Sequence, residues 1–246
     1  MSSSSPDAQA KNHLREKMWA LLDAENIGRT GLVHGKIPNF HGADQAAQLL
    51  SQHPVWITAQ VVKANPDKAQ AEVRRAAVEA SKLLYMAVPK IATEDPFYLI
   101  DPQKLSTAPE IASSGKLAAQ HAPRTHPERM RPLDVIVCGS VAVNPNGVRI
   151  GKGAGYSDIE MALLAQAGLV TDATLIVTTV HSLQVTDEPI PESEHDVSVD
   201  LIVTPEEVIP CPPRRRPSGI HWESLTEDKV SAIPILQALR EGGRRT

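Results

Sequence analysis

Apolar residues first recur at helical spacing in KNHLREKMWALLDAE, starting at residue 11. Leu14, Met18, Leu21 and Leu22 fall on one face of the helix this predicts, and Lys11 and Arg15, four apart, share a face of the same helix. GADQAAQLLS predicts a short second helix, VWITAQVV a strand with Trp56 in the core, and NPDKAQAEVRRAAVEASKLL a long helix capped by Asp67. LYMAVP reads as the next strand. From 90 to 130 the pattern weakens, with Pro and polar residues around one helix near 109–120. LDVIVCGSVAV is then a continuous apolar run, as in strands buried on both faces. NPNG follows as a turn, and Val148 and Ile150 continue as a short strand, so a hairpin leads into GKGAGYSD. SDIEMALLAQAG returns to helical spacing and ends on Gly168. TLIVTTV and VDLIVT are further β-rich runs, and beyond 205 the chain turns rich in Pro and Arg, with a weak helix at 226–241 interrupted by Pro234.

Alternation of apolar strands with helices predicts a mostly parallel sheet with helices on both faces. Composition agrees: 41% of residues are hydrophobic but only 3% aromatic, so the core must rest on aliphatic side chains packed between layers. Residues 11–209 are expected to form one α/β domain, with residues 1–10 disordered and 210–246 a Pro/Arg-rich tail. The formal net charge of −4 gives no general attraction to nucleic acid or anionic lipid, so any anion site must be local. The start lacks the cationic flank and apolar stretch of a secretory signal, and no apolar run approaches the ~20 residues of a membrane span. A soluble, cytoplasmic protein is expected. Cys138 and Cys211 stand outside any C-x-x-C frame and read as buried thiols.

The densest candidate chemistry lies in GVRIGKGAGYSDIE, residues 147–160. It is neither a P-loop nor the dinucleotide fingerprint, which would need a glycine where Tyr156 stands. Glycines at 151, 153 and 155 nevertheless permit positive φ and leave no Cβ to block a ligand, so successive N–H groups can form an anion nest. The helix start at Ser157–Asp158 adds its positive dipole end, and Arg149 and Lys152 add full charges. Such a cradle suits a triphosphate, with Asp158 as a ligand for the Mg²⁺ it carries or simply as a helix cap.

These residues resemble a known family. VAVNPNGVRIGKGAGYSD is similar to the signature of the 5-formyltetrahydrofolate cyclo-ligases, also called methenyltetrahydrofolate synthetases: a hydrophobic strand, a short turn, then G-x-R-[LI]-G-x-G-x-G-Y-Y-D. Lys11, Leu14 and Arg15 match the family's N-terminal K-x-x-L-R, and Pro191, Asp196 and Asp200 match its later Pro and D-x-x-x-D. The resemblance implies a Rossmann-like three-layer fold of the NagB/RpiA/CoA-transferase kind. It implies ATP over Lys11, Arg15 and the loop Gly151, Lys152, Gly153, Ala154, Gly155, Tyr156 and Ser157, with Mg²⁺ held by Asp158 and Asp196. Arg149 and Lys152 would be catalytic, spreading the charge of the transferred phosphoryl group. The implied reaction is ATP-dependent cyclisation of 5-formyltetrahydrofolate to 5,10-methenyltetrahydrofolate, ADP and phosphate.

IPNF, VVKANPDKAQAEVR and LLYMAVPKI are closer to a divergent branch, the methenyltetrahydrofolate synthetase domain-containing proteins. Vertebrate members of that branch bear an added RNA-recognition domain, which is not expected in these residues. Two departures from the enzyme pattern stand out. Ser157 replaces the second tyrosine, and KANPDKAQ occupies the stretch where the enzymes have a Glu-containing folate contact. The alternative is therefore a nucleotide- or folate-binding regulatory protein without turnover.

Elsewhere the chemistry is thin. Nine histidines form no metal-ligand pair by spacing, and His195 beside Asp196 reads as a loop histidine. Ser140 lacks the nucleophile elbow of a hydrolase. Arg214, Arg215 and Arg216 read as a solvated loop, and the few aromatics leave little on which to stack bases, so the expected partners are small molecules, ATP and a reduced folate. The pattern assigns no oligomeric partner.

Overall fold

Alternate residues of the central strands feed opposite cores, as a sheet covered on both faces requires. The structure is a computed structural model that describes residues 5–105, 107–213 and 216–243. Its strands are β1 (Val61–Ala64), β2 (Leu83–Ala87), β3 (Phe97–Ile100), β4 (Arg124–Thr125), β5 (Val135–Cys138), β6 (Ala142–Val143), β7 (Arg149–Ile150), β8 (Leu175–Thr179), β9 (Leu201–Val203) and β10 (Val208–Pro210). Its helices are α1 (Pro6–Ala24), α2 (Ala43–Gln52), α3 (Pro54–Thr58), α4 (Ala71–Glu79), α5 (Ala108–Ser113), α6 (Gly115–His121), α7 (Tyr156–Gln166), α8 (Glu227–Ser231) and α9 (Pro234–Gly243).

One sheet has the order β10-β9-β8-β5-β1-β2-β3-β4, and β6 pairs with β7 as a separate hairpin. The central strands β9, β8, β5, β1 and β2 are parallel. The edges β10, β3 and β4 are antiparallel. On one face Val62, Leu84, Met86, Val135, Val137 and Val177 pack with residues of α1, α2, α4 and α5. On the other, Val61, Tyr85, Ile136, Ile176 and Ile202 pack with Met161 and Leu164 of α7. A third cluster joins Ile159 and Leu163 of α7 to Val230, Ile233, Ile235 and Leu236 from α8, α9 and the link between them. Each fully buried aliphatic side chain contributes about 1.5–3 kcal/mol of transfer free energy, so these layers carry the fold. The layered α/β architecture expected from the sequence is the one observed.

Several local expectations are corrected. VWITAQVV is not one strand: Pro54 opens α3, His53 Nδ1 accepts from Val55 N–H, and β1 starts only at Val61. Trp56 is core all the same, at 2% exposure. The long helix expected over 65–84 is a 3₁₀ turn at Lys68–Gln70 followed by α4, and Asp67 makes no capping hydrogen bond. LDVIVCGSVAV divides into β5 and β6, and the weak region yields β3, β4 and two helices rather than one. Helix α1 starts at Pro6, ahead of the expected Lys11, because Ser5 Oγ accepts from Ala8 N–H and Pro6 suits the first turn. The rest of the segment expected to be disordered, residues 1–4, lies outside the described residues. The C-terminal helix is broken ahead of Pro234, as its proline suggested. Among the described residues no helix is long and apolar enough to cross a membrane.

Chain order also fixes where a ligand can sit. From β1 the chain moves outward to β2, and from β5 it moves the opposite way to β8 and β9. The carboxyl ends of β1 and β5 therefore flank a topological switch point, where parallel α/β sheets open a crevice. Asn65, Pro66 and Asp67 after β1 and Gly139 after β5 line a cleft of about 730 Å³ at this place.

Candidate active site

The β6–β7 hairpin delivers the glycine loop to the mouth of the cleft, where residues 149–158 all line it. Gly153 and Gly155 take positive φ, 91° and 71°, a conformation that L side chains resist. Gly155 is the left-handed N-cap of α7. Gly151, expected to share this conformation, does not have a positive φ. Among the described residues, no backbone N–H from Gly151 to Asp158 donates to another protein group. Two loop carbonyls are held instead: Arg15 Nε donates to Gly151 O at 2.7 Å, and Lys229 Nζ donates to Ala154 O at 2.8 Å. Cations from both ends of the chain thus fix the loop by its acceptors and leave its donors unspent. Eight consecutive amides and a helix start make an anion seat.

The predicted cations converge here. Lys11, Arg15, Arg149 and Lys152 all line the cleft. Arg15 stacks against Gly153, where an added Cβ would lie 3.4 Å from its guanidinium carbon. Burial lowers the Arg15 pKa, opposed by Asp196 and Asp158. Arg149 is 6% exposed, its Nη2 donates to Ser157 Oγ at 3.0 Å, and its buried Nε has no partner among the described residues. Lys152 Nζ lies 3.4 Å from Asp67 Oδ1, so the carboxylate expected to cap a helix pairs with the loop instead.

The predicted metal pair, Asp158 and Asp196, also lines the cleft, but their environments differ. Burial holds the Asp158 carboxyl above its ordinary pKa, Arg149 opposes this, and the charge of Asp196 adds to it. Asp158 approaches Arg149 Nη2 only to 4.0 Å. Burial would also raise Asp196, yet hydrogen bonds from Lys11 and from Ser193 N–H, the latter at 2.6 Å, bring it below the ordinary value. His195 is exposed and lines the same cleft. Among the described residues, no three His, Cys, Asp or Glu side chains group as a self-sufficient metal site. Two mutually repelling carboxylates beside an anion seat fit a cation that arrives with a triphosphate and takes its other ligands from phosphate and water.

Beneath the loop lies a polar network that sequence reasoning missed. Lys63, fully buried on β1, bonds Glu160 Oε2 at 2.6 Å and Asn65 Oδ1 at 2.5 Å. Asn65 Nδ2 then donates to Ser157 Oγ at 3.3 Å, which closes the path to Arg149. Buried Arg74 holds Asn65 O and Asp67 O at 2.5 and 2.9 Å, fixing the turn after β1. The available signal was a lone lysine inside the apolar run of β1, since a charge there must have a buried partner.

Other candidates fall outside the cleft. Asp200 accepts from Ile176 N–H and from Arg216, both at 2.8 Å, so it ties the sheet to the C-terminal segment. Arg216 is thus bonded rather than solvated, and Arg214 and Arg215 lie outside the described residues. Ser140 is buried against Thr178 Oγ1 at 2.8 Å. Cys138 is a buried free thiol, and Cys211 is half-buried, with its Sγ 3.9 Å from Ile209 O.

The model of the 5-formyltetrahydrofolate cyclo-ligase family matches residues 7–205. The chain is 36% identical over 240 residues to the methenyltetrahydrofolate synthase domain-containing protein of Danio rerio, covering 94% of this chain and 62% of that protein. It is 36% identical over 239 residues to the Homo sapiens protein of the same name, with 94% and 61% covered. The chain therefore spans about three fifths of the length of these curated relatives. The NMR structure of Aquifex aeolicus 5,10-methenyltetrahydrofolate synthetase shares the fold, with a TM-score of 0.53 at 20% identity over 86% of this chain and 98% of that one. With the family match running from α1 through the glycine loop to β9, the chain belongs to the 5-formyltetrahydrofolate cyclo-ligase family.

Proposed function

We propose that the chain seats Mg-ATP on the glycine loop and uses it to convert 5-formyltetrahydrofolate to 5,10-methenyltetrahydrofolate, ADP and phosphate. The observation that carries this reading is the run of amides from Gly151 to Asp158, unpartnered among the described residues and set among Lys11, Arg15, Arg149 and Lys152. In the reaction the formyl oxygen attacks the γ-phosphorus and ADP leaves, which turns a poor leaving group into phosphate. The neighbouring nitrogen then closes on the formyl carbon, phosphate departs and that nitrogen loses its proton. The protein's part is orientation and charge stabilisation more than proton transfer. Loop amides hold the triphosphate, Lys152 and Arg149 offset charge on the transferred group, and Arg15 keeps the loop in place through Gly151 O. Asp158 and Asp196 would hold Mg²⁺, which neutralises phosphate charge when bound.

A second reading, binding without turnover, is favoured by one observation. The two departures from the enzyme pattern touch each other, with Asn65 bonded to Ser157 and Lys63 buried against Glu160. Where the resemblance leads to a glutamate that meets folate, this chain has an internal polar network. The test mixes purified protein, Mg-ATP and 5-formyltetrahydrofolate and follows absorbance of the methenyl product. Product formation abolished by Lys152→Ala and by Asp158→Ala supports the enzyme. ATP binding without product supports the second reading, and absence of both overturns each.

A further inference from the structure

The family match ends at residue 205, yet the chain beyond it reaches the glycine loop. Lys229 donates to Ala154 O and stands 3.8 Å from the centroid of the Tyr156 ring. Between this segment and α7 lies a second pocket of about 220 Å³. Its walls are Ile159 and Ala162 of α7, Val197, and Ile220 and Leu225 from the C-terminal segment. Gly155, Asp158, His195 and Asp196 line both this pocket and the larger cleft, so the two adjoin. His221, Ser224 and Thr226 contribute polar edges.

We infer that this pocket takes the purine base of the nucleotide whose phosphates the loop holds, and that the C-terminal segment is therefore a specificity element. The inference rests on the proposed nucleotide seat. Sites for drug-sized ligands run to about 300–1,000 Å³, so this pocket suits one flat ring system rather than a whole nucleotide. Apolar walls with polar groups at the rim match a base, which has two apolar faces and hydrogen-bonding edges. Gly155 and Asp158 border both spaces, so a ligand with its phosphates on the loop has its base end beside this pocket. Arg216, bonded to Asp200, and the packing of α8 and α9 on α7 hold the segment against the body.

The test compares ATP with inorganic tripolyphosphate, which has the phosphates and no base, by titration calorimetry with Mg²⁺ present. Wild type is expected to bind ATP at least about tenfold more tightly than tripolyphosphate, since burying the base adds apolar contact. Ala162→Leu fills the pocket from α7 and is expected to remove that advantage while leaving tripolyphosphate binding unchanged. Retained tripolyphosphate binding also reports that the variant has folded; should it be lost, Leu225→Ala, which enlarges the pocket, is expected to weaken ATP selectively. Equal affinity of wild type for the two ligands, or variants that bind ATP as wild type does, would overturn the inference and leave the phosphate seat standing. Failure of wild type to bind either ligand would overturn the seat itself.

Discussion

Asn65 Nδ2 donates to Ser157 Oγ at 3.3 Å across 92 residues of chain, and the same oxygen accepts from Arg149 Nη2 at 3.0 Å. The two positions at which the sequence departs from the cyclo-ligase pattern are thus one coupled feature. A small hydroxyl lets Asn65 and Arg149 meet over a single acceptor beneath the loop.

Removing that acceptor leaves a charged donor and an amide donor unsatisfied. Among the described residues Arg149 already lacks a partner at Nε. Ser157→Ala is expected to cost about 1–3 kcal/mol, read as a lower urea midpoint at unchanged slope. A midpoint within error of wild type would show that Ser157 Oγ carries no weight in the network.

The Lys63–Glu160 pair gives a second expectation. Breaking a buried pair strands the remaining charge, so Lys63→Met is expected to cost about 3–5 kcal/mol, whereas the double variant Lys63→Met with Glu160→Leu should recover most of it. Urea unfolding of the two singles and the double closes the cycle. Additive losses would contradict a direct pairing of the two groups.

Asp158 and Asp196 should respond to neutralisation with opposite signs. Folding raises the Asp158 pKa, so its charge opposes folding above that pKa, and the penalty fades as pH falls toward the ordinary carboxylate value. Folding lowers the Asp196 pKa, so its contribution is full above the ordinary value and is lost as pH falls through the folded one. At neutral pH without divalent cation, Asp158→Asn is therefore expected to raise the melting temperature and Asp196→Asn to lower it. The Asp158→Asn gain should shrink on acidification through the window just above the ordinary carboxylate pKa. Shifts of the same sign would contradict the assignment.

How far these features were legible in the sequence depended on how local their causes are. The aliphatic runs of β2, β5, β8 and β9 announced themselves because a strand buried on both faces has few polar positions. VWIT read as strand for its β-branched residues, but Pro54 and the His53 cap start a helix there before β1 begins. The short edge strands β3 and β4 sit among prolines and have no run long enough to notice. The glycine loop was legible because positive φ and close approach demand a residue type. The Lys63–Glu160 pair joins positions 97 apart, and Asp67 faces Lys152 only because the switch point brings the turn after β1 to the loop.

The proposed phosphate seat is tested most directly at its own amides. In a ¹⁵N-labelled sample titrated with Mg-ATP, the N–H resonances of Gly151, Gly153 and Gly155 are expected to move most, downfield, and to saturate together as each gains a phosphate acceptor. Saturable binding that leaves those three resonances in place and moves a different set would contradict the seat.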